Sequence, residues 1–198
     1  PVIYLAYDVT SVEHHRLLTW LMRFGGGLTI LPIGAAVVIA LARAAPAQAD
    51  EGALRAALMM SLALFAFGGL IGLTLDGSNV KVPAHYHGSI VGVTLAFMGL
   101  VYLLLPRLGF AAPSSRAATW QVWLYGAGQM LHITGLVWSG GYGVQRKVAG
   151  AAQALDGIEK IAGMGLMGLG GLIAVIGGLM FLVIVLRVLL RRGVRLPQ

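Results

Sequence analysis

The sequence predicts an all-α membrane protein, a single transmembrane helical domain over residues 1–198 with about five spans, and three observations carry that prediction. Apolar residues make up 58% of the chain, charged residues only 11%, and the mean hydropathy is +0.85, whereas soluble domains carry roughly a quarter charged residues. Five apolar runs reach the ~20 residues that a helix needs to cross hydrocarbon. The stretches between them are rich in turn and cap residues.

The runs fall near 16–43, 53–75, 83–106, 117–140 and 158–190. Residues 1–15 are too short to cross and mix polar with apolar side chains, so they read as the end of an earlier helix. The chain opens on Pro1 rather than Met, with no cleavable leader visible, which reads as processing or a fragment. Ala45-Pro46-Ala47-Gln48-Ala49-Asp50-Glu51-Gly52 is a polar loop with an acidic entry to the second span, Asp76-Gly77-Ser78-Asn79 is a turn, and Ala112-Pro113-Ser114-Ser115 is expected to cap the fourth span. Glycines crowd the first span (Gly25, Gly26, Gly27, beside Pro32) and the last (Gly163, Gly165, Gly168, Gly170, Gly171, Gly177, Gly178). Such residues let membrane helices approach closely, so packing is the expected role.

The net charge of +7 reads as loop topology in this class of protein, not as nucleic-acid binding. Eight arginines (Arg43, Arg55, Arg107, Arg116, Arg187, Arg191, Arg192, Arg195) fall on one side of the predicted spans and six basic residues (Arg16, Arg23, Lys81, Arg146, Lys147, Lys160) on the other. The cluster from Arg187 to Arg195 predicts a cytoplasmic C-terminus. With no cysteine there is no thiolate ligand, no iron–sulfur cluster and no Cys-x-x-Cys-His for covalent heme, leaving five histidines as the strong ligands.

Two of these histidines carry the sharpest signal: Val82-Pro83-Ala84-His85-Tyr86-His87-Gly88-Ser89 opens the third span. Ionisable side chains at such a depth face a protein interior, a cavity or a cofactor. At about 100° per residue, positions i and i+2 point roughly 200° apart, so His85 and His87 serve two partners on two sides rather than one metal. Gly88 and Ser89 leave room for a bulky group to approach the backbone. His132 stands alone in the fourth span with Gln129, Thr134 and Trp138; a lone histidine in a packed bundle is more often bonded to a neighbouring helix than a ligand.

The His-aromatic-His pattern after Val-Pro-Ala, with the ending Leu103-Leu104-Leu105-Pro106-Arg107-Leu108, resembles the tenth helix of heme-copper oxidase subunit I, in its B- and C-type branches. Gly135-Leu136-Val137-Trp138-Ser139-Gly140 followed by Gln145-Arg146-Lys147 resembles that family's segment ending in an arginine pair that binds heme propionates. The resemblance covers the chain as the last five of the family's twelve helices, a divergent or split member. It implies that His85 ligates a high-spin heme iron, that His87 ligates a low-spin heme iron, and that Arg146 and Lys147 hold propionates. The heme would be b- or a-type and noncovalent. Lysine at 147 supplies charge without arginine's planar fork.

The resemblance further implies a respiratory electron-transport complex of the prokaryotic cytoplasmic membrane that reduces oxygen or nitric oxide. Other membrane subunits would supply the missing helices, cytochrome c or quinol the electrons, and the bilayer the solvent. Copper finds no support in this chain. Its two ligands should be adjacent histidines, and His14-His15 is the only such pair, yet the first span follows at Arg16 without the loop the family has there. The favoured alignment places Leu5 and Ala6 at the copper positions, and His14 and His15 then read as interfacial. Asp76, Ser78 and Asn79 are the only candidates for the family's propionate-contacting residue ahead of the motif, and the proton-channel positions fall near Arg23 and Gly26. Two further readings remain beside the oxidase: a copper-less heme-binding electron-transfer subunit and a non-catalytic scaffold.

Overall fold

A computed structural model describes residues 2–45 and 51–191. Among the described residues all regular structure is helical, apart from one isolated antiparallel bridge between Asn79 and Gln145. Residues 46–50 of the expected polar loop, and Arg192 and Arg195 of the expected cytoplasmic cluster, lie outside the described residues. The chain forms two compact units, Pro1–Ala45 and Pro46–Gln198.

In the first unit a short helix α1 (Val2–Ala6) is followed by α2 (Val12–Trp20), whose start is capped by the Ser11 hydroxyl accepting from the His14 N–H at 3.2 Å. The helix then loosens into one π turn (Leu21–Gly26), tightens into one 3-10 turn (Gly27–Thr29) and resumes as α3 (Ile30–Arg43). The break has a local cause. Gly25 to Gly27 are weak helix formers, and Pro32 lacks the N–H that the turn before it needs. Val12–Arg43 is nonetheless long and apolar enough to cross a membrane. This helical stretch starts at Val12, ahead of the start near Arg16 read from the sequence. His14 lies inside α2 and is buried, edge-on to the Tyr4 ring at 4.7 Å with Nδ1 at 3.3 Å from the Tyr7 carbonyl, while His15 is exposed.

The second unit holds α4 (Gly52–Leu73), α5 (Lys81–Arg107), α6 (Ser115–Gly141) and α7 (Ile158–Leu190). These bounds lie within two residues of those read from the sequence. Helices α4, α5 and α7 are each long and apolar enough to span, giving four such helices with the first unit. Helix α6 matches α5 in length but carries Gln121, Gln129, His132 and Ser139, and is not among the four. It packs against α4, α5 and α7.

Glycine determines both main seams. Gly68 and Gly72 on α4 and Gly88 and Gly92 on α5 repeat every four residues, and so share a face. A Cβ on Gly68 would come 2.6 Å from the Ser89 nitrogen, and one on Gly92 2.8 Å from the Ser61 carbonyl oxygen. The room expected at Gly88 is therefore filled by the α4 backbone, since a Cβ there would lie 2.6 Å from the Gly68 Cα. On α7, Gly163, Gly170 and Gly177 repeat every seven residues and meet α6 backbone at Ser139, His132 and Tyr125. Gly165 and Gly168 face open space.

The seam leaves few polar groups to satisfy. The Tyr102 hydroxyl donates to Gln121 Oε1 at 3.0 Å, and Gln121 Nε2 donates to the Gly177 carbonyl at 3.2 Å, joining three helices inside the bundle. One expected cap is absent: Ser114 precedes α6 but its side chain makes no capping hydrogen bond. Glu51 at the entry to α4 instead pairs with Arg55 at 2.7 Å.

Candidate functional site

His85 and His87 sit in the first two turns of α5, after Pro83 at the third helical position, where a missing N–H costs nothing. The two side chains diverge as the spacing predicts. His85 turns to α4: its Nδ1 lies 2.7 Å from the Gly68 carbonyl oxygen, and its ring covers Gly72, where a Cβ would stand 2.6 Å from Cε1. His87 has its Nδ1 at 2.8 Å from the Pro83 carbonyl oxygen one turn back, and its ring meets that of His132 on α6 at 5.2 Å between centroids.

A carbonyl oxygen has only lone pairs, so in each neutral imidazole Nδ1 carries the proton and donates. The lone pair is thereby assigned to Nε2. Nε2 of His85 and of His87 make no hydrogen bond, and neither atom is completely buried. Donation of one ring nitrogen to a backbone carbonyl is the arrangement that orients a histidine and raises its basicity as a metal ligand. Each residue thus keeps its Nε2 lone pair free of a hydrogen bond, and the two rings face different ways.

The basic loop is fastened over the same end of the bundle. Val80 N–H donates to the Val144 carbonyl at 3.0 Å, Asn79 bridges Gln145, and the Arg146 Nε donates to the Ser78 hydroxyl at 3.0 Å. Arg146 is half-buried with its guanidinium pinned to the turn that precedes the histidine helix. Lys147 is exposed, and its backbone is left-handed at φ 63°. Asp76, in the same turn, pairs with Lys81 at 3.1 Å, which holds its carboxyl below the ordinary value of 3.8. Ser78 thus contacts Arg146 directly, while Asp76 serves Lys81 and Asn79 caps the Lys81 N–H at 2.9 Å.

His132, discounted as a ligand, has its Nδ1 at 3.0 Å from the Met167 carbonyl oxygen on α7, the neighbouring-helix bond expected of it. Its contact with His87 was not legible, because 45 positions separate the two and only the α5–α6 packing unites them. Gly72 was also missed, although its four-residue spacing from Gly68 was a usable signal. Among the described residues no three His, Cys, Asp or Glu side chains cluster as a metal site.

The helices define a multi-pass α-helical membrane protein. No family model matches the sequence. The chain is similar to an uncharacterized protein of Rickettsia prowazekii (strain Madrid E), 41% identical over 138 residues that cover 64% of this chain and 26% of that protein. It is also similar to an uncharacterized protein of Aquifex aeolicus (strain VF5), 31% identical over 94 residues, 48% of this chain and 23% of that protein. The chain spans about a quarter of the length of these curated relatives.

Proposed function

We propose that this chain is the heme-carrying C-terminal part of a respiratory complex related to heme-copper oxidases, with His87 ligating a low-spin heme and His85 a high-spin one. One observation carries the reading: two histidines of one helix, facing different ways, each have Nδ1 committed to a backbone carbonyl and Nε2 without a hydrogen bond. A heme bound there supplies a one-electron iron couple and, at an iron with an open position, a site for oxygen or nitric oxide. The chain's own residues orient the two imidazoles and, through Arg146 and Lys147, place positive charge at the end of the bundle where propionates would lie.

In this reading α6 crosses the bilayer as a fifth span. Its 27 residues reach roughly 40 Å, and its polar side chains are turned into the bundle and bonded there, which removes their cost in hydrocarbon. The positive-inside bias places the C-terminus in the cytoplasm of a prokaryote and the histidines toward the outer face. The remaining helices come from further polypeptide; both relatives are about four times as long as the stretch they share with this chain. Cytochrome c or quinol is the electron donor. Copper, if the complex holds it, takes its ligands from that other polypeptide, and a copper-less electron-transfer subunit is the second reading.

A pyridine hemochrome assay on the purified complex tests the proposal, together with His87→Ala and His85→Ala. Noncovalent heme is expected, with the first substitution removing the sharp low-spin bands and the second the ligand-reactive high-spin species. Absence of heme, or loss of the same signal in both variants, would overturn it. Metal analysis separates the two readings: iron with copper fits the oxidase, iron without copper the electron-transfer subunit.

A further inference from the structure

The ring of His87 is held on more than one side. Tyr86 stacks on it at 5.0 Å and 29°, the Pro83 carbonyl accepts a hydrogen bond from its Nδ1–H, and the His132 ring meets it at 5.2 Å and 51°. His132 differs from the other two contacts because it comes from another helix and is itself fixed. Its Nδ1 donates to the Met167 carbonyl, its backbone lies against Gly170, and Gly171 faces its ring, where a Cβ would come 3.3 Å from Nδ1. A continuous strut therefore runs from the α7 backbone through His132 to the imidazole of His87.

We infer that His132 is a positioning residue that sets the ring plane of His87, an inference that rests on the heme reading above. Rotation about the bond joining an imidazole to its Cβ is a broad, soft torsion. Pro83 and Tyr86 belong to the same helix as His87 and move with it, so they do not tie the ring to the rest of the bundle. His132 does. The plane of an axial imidazole decides how it overlaps the iron d orbitals, so a change in that plane is read directly in the g values of a low-spin ferric heme.

The test is electron paramagnetic resonance on the purified complex carrying His132→Phe, His132→Gln or Gly171→Ala, with heme content measured on each sample. His132→Phe keeps a ring but loses the tie to Met167, and should displace or broaden the largest g value of the low-spin signal while the high-spin signal of the His85 site stays unchanged. His132→Gln, whose amide can still donate to Met167, should lie closer to the parent protein. Gly171→Ala crowds the His132 ring from behind without removing it, so it should give a smaller change in the same signal. It also decides the matter should His132→Phe fail to assemble. Normal heme content with an unaltered low-spin signal in His132→Phe, or in Gly171→Ala where that variant decides, overturns the inference and leaves the heme reading standing. A parent complex without a low-spin heme, or one whose low-spin signal survives His87→Ala, overturns the heme reading and this inference with it.

Discussion

The finest determinant of the site is the absence of a methyl group. The His85 ring occupies the space that a side chain at position 72 would need, so Gly72→Ala places a Cβ 2.6 Å from Cε1 and 2.7 Å from Nδ1. Either the ring leaves the Gly68 carbonyl or the helices part. Overpacking of this kind costs about 1–3 kcal/mol. Gly69→Ala, one residue away with nothing within 4 Å, should be neutral or slightly stabilising through helix propensity. Thermal unfolding of the two variants in the same detergent checks this; equal midpoints would show that the ring is not lodged there. Lys147 provides a second test at this scale. Its left-handed φ of 63° disfavours any side chain, so Lys147→Gly should stabilise the loop by up to ~1 kcal/mol while removing its charge.

Among the elements, the α6–α7 seam is the closest. Gly170→Ala drives a Cβ to 2.3 Å from the His132 backbone nitrogen, whereas Gly168→Ala points into open space. The first should lower the unfolding midpoint markedly and the second leave it, by the same measurement. Across the bundle, Gln121→Leu would leave the Tyr102 hydroxyl and the Gly177 carbonyl without their partner at a cost of about 1 kcal/mol. The turn before α5 adds a pH dependence. The Lys81 hydrogen bond, then its charge, lowers the Asp76 pKa, so the folded state binds that proton less tightly than the unfolded chain. The stabilisation is complete above the ordinary carboxylate value of 3.8 and is lost as pH falls through the depressed folded value. The protection factors of amides in this turn, taken against the intrinsic exchange rate at each pH, should therefore fall below about pH 4, and Lys81→Met should abolish the change.

At the scale of the whole molecule the question is which ends share a side of the membrane. Neighbouring helices of the second unit run antiparallel, so Arg55, Arg107, Arg116, Arg187 and Arg191 gather at one end and Lys81, Arg146, Lys147 and Lys160 at the other. These 198 residues hold no cysteine, so a cysteine placed in them gives this stretch a single labelling site. Ser114 and Tyr142 flank α6 and both are exposed. An impermeant thiol reagent applied to intact cells should label Tyr142→Cys and spare Ser114→Cys. Labelling of both from outside would show that α6 does not cross, and labelling of Ser114→Cys alone would invert the proposed orientation.

Much of this was legible from residue order, because the forces involved are local. Hydropathy marks a span wherever about twenty apolar residues follow one another, so α4 to α7 begin and end close to where composition places them. The divergence of His85 and His87 follows from helical pitch alone. What the chain could not reveal is set by contacts between helices. The burial of His14 depends on how α1 packs against α2. The tautomers of the two histidines depend on which carbonyls they meet, and the meeting of His87 with His132 depends on the close approach of α5 and α6. Periodicity along one helix says which face a side chain occupies. Only the packed bundle decides what stands opposite that face.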